Sequence, residues 1–357
     1  DIEVQLCGDA HVQNLGSFAG PDGRLVFDFN DFDETIEGPW EWDVKRMAAS
    51  IVLAGREANH RHATYSVAVE AFVQRYSTSM EQFAGEPILQ VARHQTHRQQ
   101  QVKPITAALR QSQRATPCDL LRKLTTPDEH GTPRFRDKKP VFWRVTDHEA
   151  EQVLRALDLY YETLRPESQR MFHLFRPIDV GFKVVGTGSV GMRNYVVLME
   201  GNGPADPLFL QLKQEVASAY NRYRPHIVHE HQGRRAAQGQ RSIQPISDLL
   251  LGWSSMGGHD FLVRQLNDHK GSIDLEQLKG SGLESLAEVA GELMARGHAR
   301  SGDACMITGY CGSGAKVSKA IRDFAIEYAD QTEADFAAFQ NAIKANKVHL
   351  ADLTPAA

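Results

Sequence analysis

A carboxylate, an imidazole and a carboxamide lie close together near the start of the chain. Asp9, His11 and Asn14 occupy a glycine-bounded polar loop, directly after the strand-like run Ile2–Leu6. A carboxylate on such a loop can orient or deprotonate a hydroxyl group, and an amide oxygen can bind a hard cation such as Mg²⁺. We therefore predict Asp9 and His11 as catalytic residues, with His11 either orienting Asp9 or touching the substrate. Asn14 is a predicted metal ligand.

An acidic segment follows this loop. From Asp28 to Asp43 the chain carries seven acids and no Lys or Arg. Its densest part comprises Asp28, Asp31, Asp33 and Glu34. Mg²⁺ binds a few protein oxygens together with phosphate oxygens, so Asn14, Asp28 and Asp31 form the predicted metal site. The alternative is a solvated acidic turn.

A glycine loop lies in the middle of the chain. Its residues are Gly186, Gly188, Ser189 and Gly191. A β-rich run, Asn194–Glu200, follows it, so the loop joins two antiparallel strands rather than opening a helix as in a dinucleotide-binding domain. Glycine lets backbone N–H groups approach a phosphate, and Lys213 on a third predicted strand would neutralise phosphate charge. The alternative is a β-meander with an exposed lysine.

Composition limits the classes of protein. The 357 residues are 41% hydrophobic and 24% charged, which is typical of a globular chain with two or three lobes. The 40 basic and 45 acidic residues give a net charge of −5, which excludes a generally basic nucleic-acid coat. No apolar run approaches the ~20 residues of a membrane span, so we expect no membrane association. Four scattered cysteines favour a reducing compartment, and we predict a cytoplasmic location.

Helical periodicity accounts for much of the remaining chain. The first predicted helix begins at Asp43, which would cap it. The others are Thr64–Phe83, His148–Leu164, Arg234–Ile246, Leu283–His298 and Val317–Lys344. Arg93–Arg114 is basic and contains no acid. We interpret it as a solvated helical excursion, or else as a docking surface for an anionic substrate or nucleic acid. The overall charge argues against nucleic acid. Residues 125–140 are predicted to form a mobile loop.

Three blocks near the start resemble a known series of motifs. Gly8–Asn14, Val26–Asp31 and Gly38–Val44 are similar to the GD-x-H-x-x-N, IDF-x-D and G-P-x-x-D-L motifs of the aminoglycoside and choline phosphotransferase branch of kinase-like proteins. Nearly the whole chain more closely resembles an uncharacterised bacterial family, domain of unknown function 2252. The blocks that carry this resemblance are Gly8–Gly16, Val26–Ser50, Lys183–Gln211, Leu249–Trp253, Val263–Ser272 and His298–Asp303.

This resemblance implies an α+β, protein-kinase-like fold with two lobes. The motif order is circularly permuted, because the base and metal residues precede the glycine loop, and Asp1 would lie near the permutation point. Residues 1–180 would form a catalytic and metal-binding segment with a helical excursion. Residues 181–270 would form an antiparallel β-rich nucleotide lobe, and residues 271–357 would complete the mainly helical catalytic lobe.

The resemblance also implies roles for particular residues. Asp9 would be the base, Asn14 and Asp28 the metal ligands, and Asp43 a structural anchor of the catalytic loop. The strand that contains Gln265 would lead into a hinge that meets adenine. A glutamate on the helix after the third strand should pair with the strand lysine, and the chain offers Glu230 for this.

We therefore predict an ATP- and Mg²⁺-dependent phosphotransferase that acts on an unidentified hydroxyl acceptor, either a small molecule or a protein. One alternative is a nucleotide-binding pseudokinase or regulatory module, because the helix glutamate is poorly defined. Another is a nucleotidyl transferase that would use the same cleft to transfer AMP. The sequence identifies neither the acceptor nor the oligomeric state.

Overall fold

The chain buries two main apolar cores. A computed structural model describes residues 1–95, 102–186, 190–266 and 270–348. The larger core lies among helices from both ends of the chain, and the second lies against a six-stranded sheet formed by its middle part. Strand pairing in the described ranges is antiparallel throughout. The predicted α+β class is therefore confirmed.

The first forty residues form two small sheets beside the larger core. β1 (Glu3–Leu6) pairs with β4 (Ile36–Pro39). Between them in the sequence, β2 (Leu15–Ala19) and β3 (Leu25–Phe29) form a hairpin, and β13 (Gly271–Ser272) adds a third strand at the β2 edge. The predicted catalytic loop therefore joins β1 to β2, and the acidic segment joins β3 to β4.

Four long helices surround the larger core. They are α1 (Glu41–Glu57), α2 (His62–Gly85), α9 (Gly282–Ser301) and α11 (Ala315–Lys344). The helices α2 and α9 pack closely because Gly291 has no side chain: a Cβ there would lie 2.4 Å from the backbone oxygen of Phe72. The shorter helices are α3 (Ile88–Arg93), α4 (Lys103–Arg114), α5 (Pro117–Leu124) and α10 (Ala304–Cys311). In the described part of the chain, no helix combines the length and apolar character needed to cross a bilayer.

Helix α1 differs from its predicted start. It begins at Glu41, and Asp43 lies inside its first turn without capping it. The apolar residues Val44, Met47 and Ile51 are buried, as their periodicity predicts. Asp43 is buried as well, and its carboxylate accepts hydrogen bonds from the loop that precedes β2 rather than from its own helix. The capping prediction is wrong because the helix starts two residues earlier and this carboxylate binds the backbone N–H groups of Cys7 and Gly8.

The second core packs on a sheet of six strands. In chain order they are β7 (Phe142–Arg144), β8 (Arg176–Lys183), β9 (Asn194–Glu200), β10 (Pro207–Glu215), β11 (Gly252–Met256) and β12 (His259–Gln265). Their spatial order is β11-β12-β10-β9-β8-β7. The predicted meander is confirmed, because Phe182 lies opposite Tyr195 and Lys213 lies opposite Asn194. The helices of this region are α6 (Asp147–Thr163), α7 (Pro166–Phe172) and α8 (Gln232–Ile243).

Residues 125–140, predicted to form a mobile loop, contain a two-stranded sheet. It comprises β5 (Thr125–Pro127) and β6 (Pro133–Phe135). Asp179 on β8 explains this order, because its buried carboxylate accepts a hydrogen bond from the backbone N–H of Phe135 at 2.8 Å. The loop prediction is wrong because the group that orders the segment comes from a distant strand.

A buried carboxylate joins α9 to α2. Glu292 accepts a hydrogen bond from Nε of Arg75 at 3.1 Å, and its other oxygen lies 3.2 Å from Nε2 of His94. Burial acts to raise the pKa of Glu292, but hydrogen bonds from His94 and Arg75 outweigh burial and lower the pKa to about 2. A carboxyl with a lowered pKa stabilises the fold above its ordinary pKa of 4.5, and this contribution disappears as the pH falls toward 2.

The substitution Glu292→Gln is therefore expected to lower the free energy of unfolding near neutral pH by on the order of 2–3 kcal/mol. The difference from the unmodified protein should shrink as the pH falls below about 4.5, because the wild-type carboxyl is then protonated in the unfolded chain. Urea denaturation at neutral pH and near pH 3 measures both effects. Glu284→Gln, at an exposed position of the same helix, is the control. A difference that stayed constant over this pH range would contradict the assignment.

Candidate functional site

The loop between β1 and β2 is held by buried hydrogen bonds. The carboxylate of Asp43 accepts the backbone N–H of Cys7 at 2.6 Å and that of Gly8 at 3.0 Å. Nε2 of His298 lies 3.3 Å from the same carboxylate, and Nδ1 of His298 lies 2.9 Å from the hydroxyl of Tyr76. Helices α1, α9 and α2 therefore fix the backbone of this loop together.

Asp9 lies at the exposed end of this loop, with 47% of its side chain accessible. Its Oδ1 accepts a hydrogen bond from Nε of Arg46 at 2.9 Å, and Nη2 of Arg46 lies 2.8 Å from the same oxygen. Its Oδ2 lies 3.4 Å from Nε2 of His11. Burial acts to raise the pKa of Asp9, but the hydrogen bond from His11 and the charge of Arg46 outweigh it and lower the pKa. An ionised Asp9 can accept a hydrogen bond from a hydroxyl group.

Asn14 is tied to the same loop. Its Nδ2 donates a hydrogen bond to the backbone oxygen of Asp9 at 2.7 Å. Because the amide nitrogen is used as a donor, the amide oxygen is the atom that could bind a cation. The backbone N–H of Asn30 donates to the backbone oxygen of Asn14 at 3.0 Å, which brings the start of the acidic segment beside the loop.

Lys213 on β10 contacts the acidic segment, although the two are about 180 residues apart in sequence. Its Nζ makes an ion pair with Asp33 and lies 3.5 Å from Oδ1 of Asp31. Only 7% of the lysine side chain is exposed. Burial acts to lower the pKa of Lys213, but the charges of Asp31 and Asp33 outweigh it and raise the pKa. Lys213 is therefore a fixed positive charge at the junction of the sheet and the helical region.

The two carboxylates beside Lys213 differ electrostatically. Burial acts to raise the pKa of Asp31, but the charges of Lys213 and Arg264 outweigh it and lower the pKa. Burial and the charge of Asp31 raise the pKa of Asp33. Oδ1 of Asp33 is buried and has no hydrogen-bond partner among the described residues. An additional cation at this point would satisfy that oxygen.

Asp28 lies elsewhere, inside the larger core. It has no exposed surface, and its two carboxylate oxygens lie 2.7 and 2.6 Å from Nη2 of Arg296 on α9. The backbone N–H of Phe29 donates to the same carboxylate at 2.9 Å. Burial raises the pKa of Asp28, against the opposing effect of Arg296. Of the predicted metal ligands, Asp31 faces Lys213, whereas Asp28 joins β3 to α9.

The glycines that bracket the glycine loop adopt conformations suited to glycine. Gly186 has a φ of 46° and Gly191 a φ of 88°, both in the left-handed region that other residues rarely adopt. A Cβ at either position would meet no atom within 4 Å, so backbone conformation rather than close packing favours glycine there. The other two predicted loop residues, Gly188 and Ser189, lie outside the described residues.

Glu230, the predicted partner of Lys213, is exposed and precedes the start of α8. The contacts of α8 with the acidic segment come from Arg235 instead. Its Nη1 donates to the backbone oxygen of Thr35 at 2.6 Å, and its Nη2 donates to those of Asp33 at 2.7 Å and Val216 at 2.9 Å. Sequence reasoning missed Arg235, because nothing in its neighbourhood in the sequence indicates these distant acceptors.

A polar cavity of about 80 Å³ lies where β12 ends. Its lining includes Gln211, Gln240, Gln244, Arg264, Gln265 and Lys270. Gln211 and Lys213 are two residues apart on β10 and therefore share one face of the strand. The backbone N–H of Gln265 donates to Asp248 at 2.6 Å. This N–H group, on the strand predicted to lead into the hinge, therefore already has a hydrogen-bond partner. Burial and the charge of Arg264 lower the pKa of Lys270 to about 8, and both of these basic residues line the cavity.

The oxygen atoms near Lys213 suit a magnesium ion that also binds phosphate. No group of three or more His, Cys, Asp or Glu side chains in the described ranges is arranged to hold a metal ion. Mg²⁺ is commonly bound by one or two carboxylates, with phosphate oxygens and water as the other ligands. Asp31 and Asp33 could supply the carboxylates of such a set, and the unsatisfied Oδ1 of Asp33 supports this fit.

A family model described as an uncharacterized protein conserved in bacteria (DUF2252) matches residues 1–342. The chain belongs to the DUF2252 family. No curated protein and no solved structure matches it. The function of this DUF2252 protein therefore has to be inferred from its own site.

Among the residues of this DUF2252 protein, the structure brings Asp9, His11 and Asn14 together on one loop and Asp31 beside Lys213. Sequence reasoning did not assign roles to Arg46 and Asp33. Asp33 lies in the acidic segment, and the high acidic content of that segment could have indicated a role for it. Arg46 lies three residues after Asp43, on the same side of a predicted helix, and this spacing could have indicated that both contact the loop.

Proposed function

We propose that this DUF2252 protein is a Mg²⁺-dependent phosphotransferase that moves the γ-phosphoryl group of ATP to a hydroxyl acceptor. The observation that carries the proposal is the contact of Lys213 with Asp31 and Asp33. In kinases a strand lysine and a metal-binding aspartate both act on the nucleotide phosphates, the lysine directly and the aspartate through Mg²⁺.

The order of elements in the sheet supports the proposal. The glycine loop joins β8 to β9, Lys213 lies on the next strand, and α8 follows that strand. Protein kinases likewise cover the phosphates with a loop between two strands and place the lysine on the third, before a helix. In this chain the catalytic loop precedes these elements in the sequence, which is consistent with a permuted order.

The catalytic loop and the acidic segment lie in direct contact, as phosphoryl transfer requires. Gly8 has a φ of 93°, and a Cβ on it would lie 2.2 Å from the backbone oxygen of Glu34. The hydroxyl of Tyr220 donates to the backbone oxygen of Gly8 at 2.7 Å. Any larger residue at position 8 would separate Asp9 from the proposed metal site.

Each group has a role in the proposed reaction. The glycine loop and Lys213 would bind the ATP phosphates, and Asn14, Asp31 and Asp33 would hold Mg²⁺. When bound, Mg²⁺ neutralises phosphate charge. Asp9 would orient the acceptor hydroxyl and accept its proton as the acceptor oxygen bonds to phosphorus and the bond to ADP breaks.

The substitution Lys213→Met is expected to weaken binding of Mg²⁺·ATP by about 10- to 100-fold, because hydrogen bonds to charged groups contribute about 1.5–3 kcal/mol. Isothermal titration calorimetry measures the dissociation constant directly. Lys319→Met, at an exposed position of α11, is the control and should bind as the wild type does. The proposal fails if the wild-type protein does not bind Mg²⁺·ATP, or if the two variants bind it equally well.

The exposed position of Glu230 favours a second candidate, a nucleotide-binding pseudoenzyme or regulatory module. Such a protein would bind ATP without transferring phosphate to water or to any acceptor. Transfer measured with ATP labelled at the γ or the α position separates three outcomes. Transfer of the γ label indicates a phosphotransferase, transfer of the α label indicates a nucleotidyl transferase, and binding without transfer indicates the pseudoenzyme.

A further inference from the structure

Arg46 binds the predicted catalytic loop, although its ion pair adds little to the stability of the fold. It lies on α1 three residues after Asp43, so the two side chains leave the same side of the helix. Asp43 binds the backbone of the catalytic loop, and Arg46 binds the carboxylate of Asp9 on that loop. The side chain of Arg46 is 35% exposed, and ion pairs with this exposure contribute little to stability.

The guanidinium group is only partly used by Asp9. Nε donates a hydrogen bond to Oδ1 of Asp9 at 2.9 Å, and Nη2 lies 2.8 Å from the same oxygen in the ion pair. Nη1 meets no hydrogen-bond acceptor in the portions of the chain that the structure covers. Arginine remains charged at all physiological pH values and presents donors in a planar fork that matches phosphate oxygens. A charged donor is therefore available beside Asp9.

The phosphoryl group would lie close to this donor during transfer, because the reacting atoms are separated by only a few ångströms. A hydroxyl that is hydrogen-bonded to Asp9 would lie about 2.6–3.2 Å from its carboxylate. The phosphorus atom under attack would lie about 3–3.5 Å beyond that oxygen. In the transition state, negative charge is spread over the three equatorial oxygens of the phosphoryl group. These oxygens project sideways from the line of transfer, toward the groups that surround Asp9.

We propose that Arg46 is a catalytic residue whose guanidinium contacts the phosphoryl group during transfer, while Asp9 holds the acceptor hydroxyl. This inference rests on the proposed phosphotransferase function. The acceptor oxygen forms a bond to phosphorus, the bond from phosphorus to the ADP oxygen breaks, and the acceptor proton moves to Asp9. Arg46 gains and loses no proton, and its charge offsets the negative charge of the transferring group.

The test compares two arginines of the same helix. Arg46→Ala removes the proposed catalytic group, and Arg56→Ala removes an arginine that pairs with Asp330 and Glu333 far from the loop. Hydrolysis of Mg²⁺·ATP, with water as the acceptor, is followed by release of phosphate. Calorimetry gives the dissociation constant of Mg²⁺·ATP for each protein. Arg46→Lys keeps the charge but not the fork, so it should fall between the wild type and Arg46→Ala.

We expect Arg46→Ala to lower the turnover rate by about 10²- to 10³-fold, as removal of a transition-state donor does. Its dissociation constant for Mg²⁺·ATP should stay within about threefold of the wild-type value. Guanidinium at about 50 mM, far below the molar concentrations that unfold proteins, should restore turnover at least tenfold for Arg46→Ala and for no other protein. Guanidinium rescue is the readout that a purely structural role would not give.

Each other outcome has a defined meaning. If wild-type turnover is measurable and Arg46→Ala retains it, the inference about Arg46 fails while the phosphotransferase proposal stands. If Arg46→Ala loses turnover but guanidinium does not restore it, Arg46 only positions Asp9 and the inference fails. If the wild type binds no Mg²⁺·ATP, or binds it without any turnover, the phosphotransferase function fails and the role of Arg46 fails with it.

Discussion

Asp9→Asn is expected to lower the turnover of Mg²⁺·ATP by about 10³-fold, within the range found for general acid–base groups. Asparagine has nearly the same shape as aspartate, but it cannot accept a proton from the acceptor and gives Arg46 no charged partner. The loop backbone is held by Asp43 rather than by Asp9, so the fold should survive. Phosphate release measures turnover, and calorimetry should give a dissociation constant for Mg²⁺·ATP close to that of the wild type.

The control for this prediction is Asp22→Asn. Asp22 lies in the turn between β2 and β3, and its carboxylate is 3.6 Å from Nε of Arg24. The control thus removes an aspartate that also pairs with an arginine but lies outside the loop. It should retain wild-type turnover. If Asp9→Asn retained wild-type turnover too, or lost binding and turnover in equal measure, Asp9 would not have the role proposed for it.

Arg296→Met is expected to destabilise the fold by about 3–5 kcal/mol, because it leaves a buried carboxylate without its charged partner. Asp28 has no exposed surface, and its oxygens lie 2.7 and 2.6 Å from Nη2 of Arg296. Replacing both partners by apolar residues, as in Asp28→Leu with Arg296→Met, should recover most of the loss. Urea denaturation measures the free energy of unfolding of each protein.

This pair of variants also tests whether Asp28 binds metal. If Asp28 serves the core, the folded double variant should still bind Mg²⁺·ATP. If Asp28 is a metal ligand, the folded double variant should lose that binding. Arg155→Met, which removes an exposed arginine paired with Glu151 on α6, is the control for stability and should leave the denaturation midpoint unchanged. An Arg296→Met protein as stable as this control would contradict the prediction.

Local patterns in the sequence predicted the elements of the fold well. Alternating apolar residues gave the strand before the catalytic loop, and the β-rich runs on both sides of the glycine loop gave the meander that carries Lys213. These features depend on neighbouring residues in the chain. The spacing of Asp9 and Asn14 was also informative, because a short loop fixes the distance between its own side chains.

Contacts between distant parts of the chain could not be predicted in this way. Asp28 and Asp31 are the same residue type and only three residues apart, yet α9 supplies an arginine to the first and β10 supplies a lysine to the second. The difference depends on which distant element approaches each carboxylate. Likewise, the carboxylate partners of Lys213 come from the acidic segment, whereas sequence reasoning offered Glu230 from the region before α8.

The three hydrogen bonds that Arg235 donates to backbone oxygens have a mechanical consequence. They connect α8 to the backbone of Asp33 and Thr35 and to the end of β10 at Val216. The acidic segment is therefore attached to the β-sheet region as well as to the helices. In the proposed reaction, any movement of the β-sheet region that admits or releases ATP should carry Asp33 with Lys213, so that the distance between them stays constant. The loop between β1 and β2 also contacts the acidic segment, through Asn14 with Asn30 and Gly8 with Glu34. It should move with that segment, so that the three proposed metal ligands stay together.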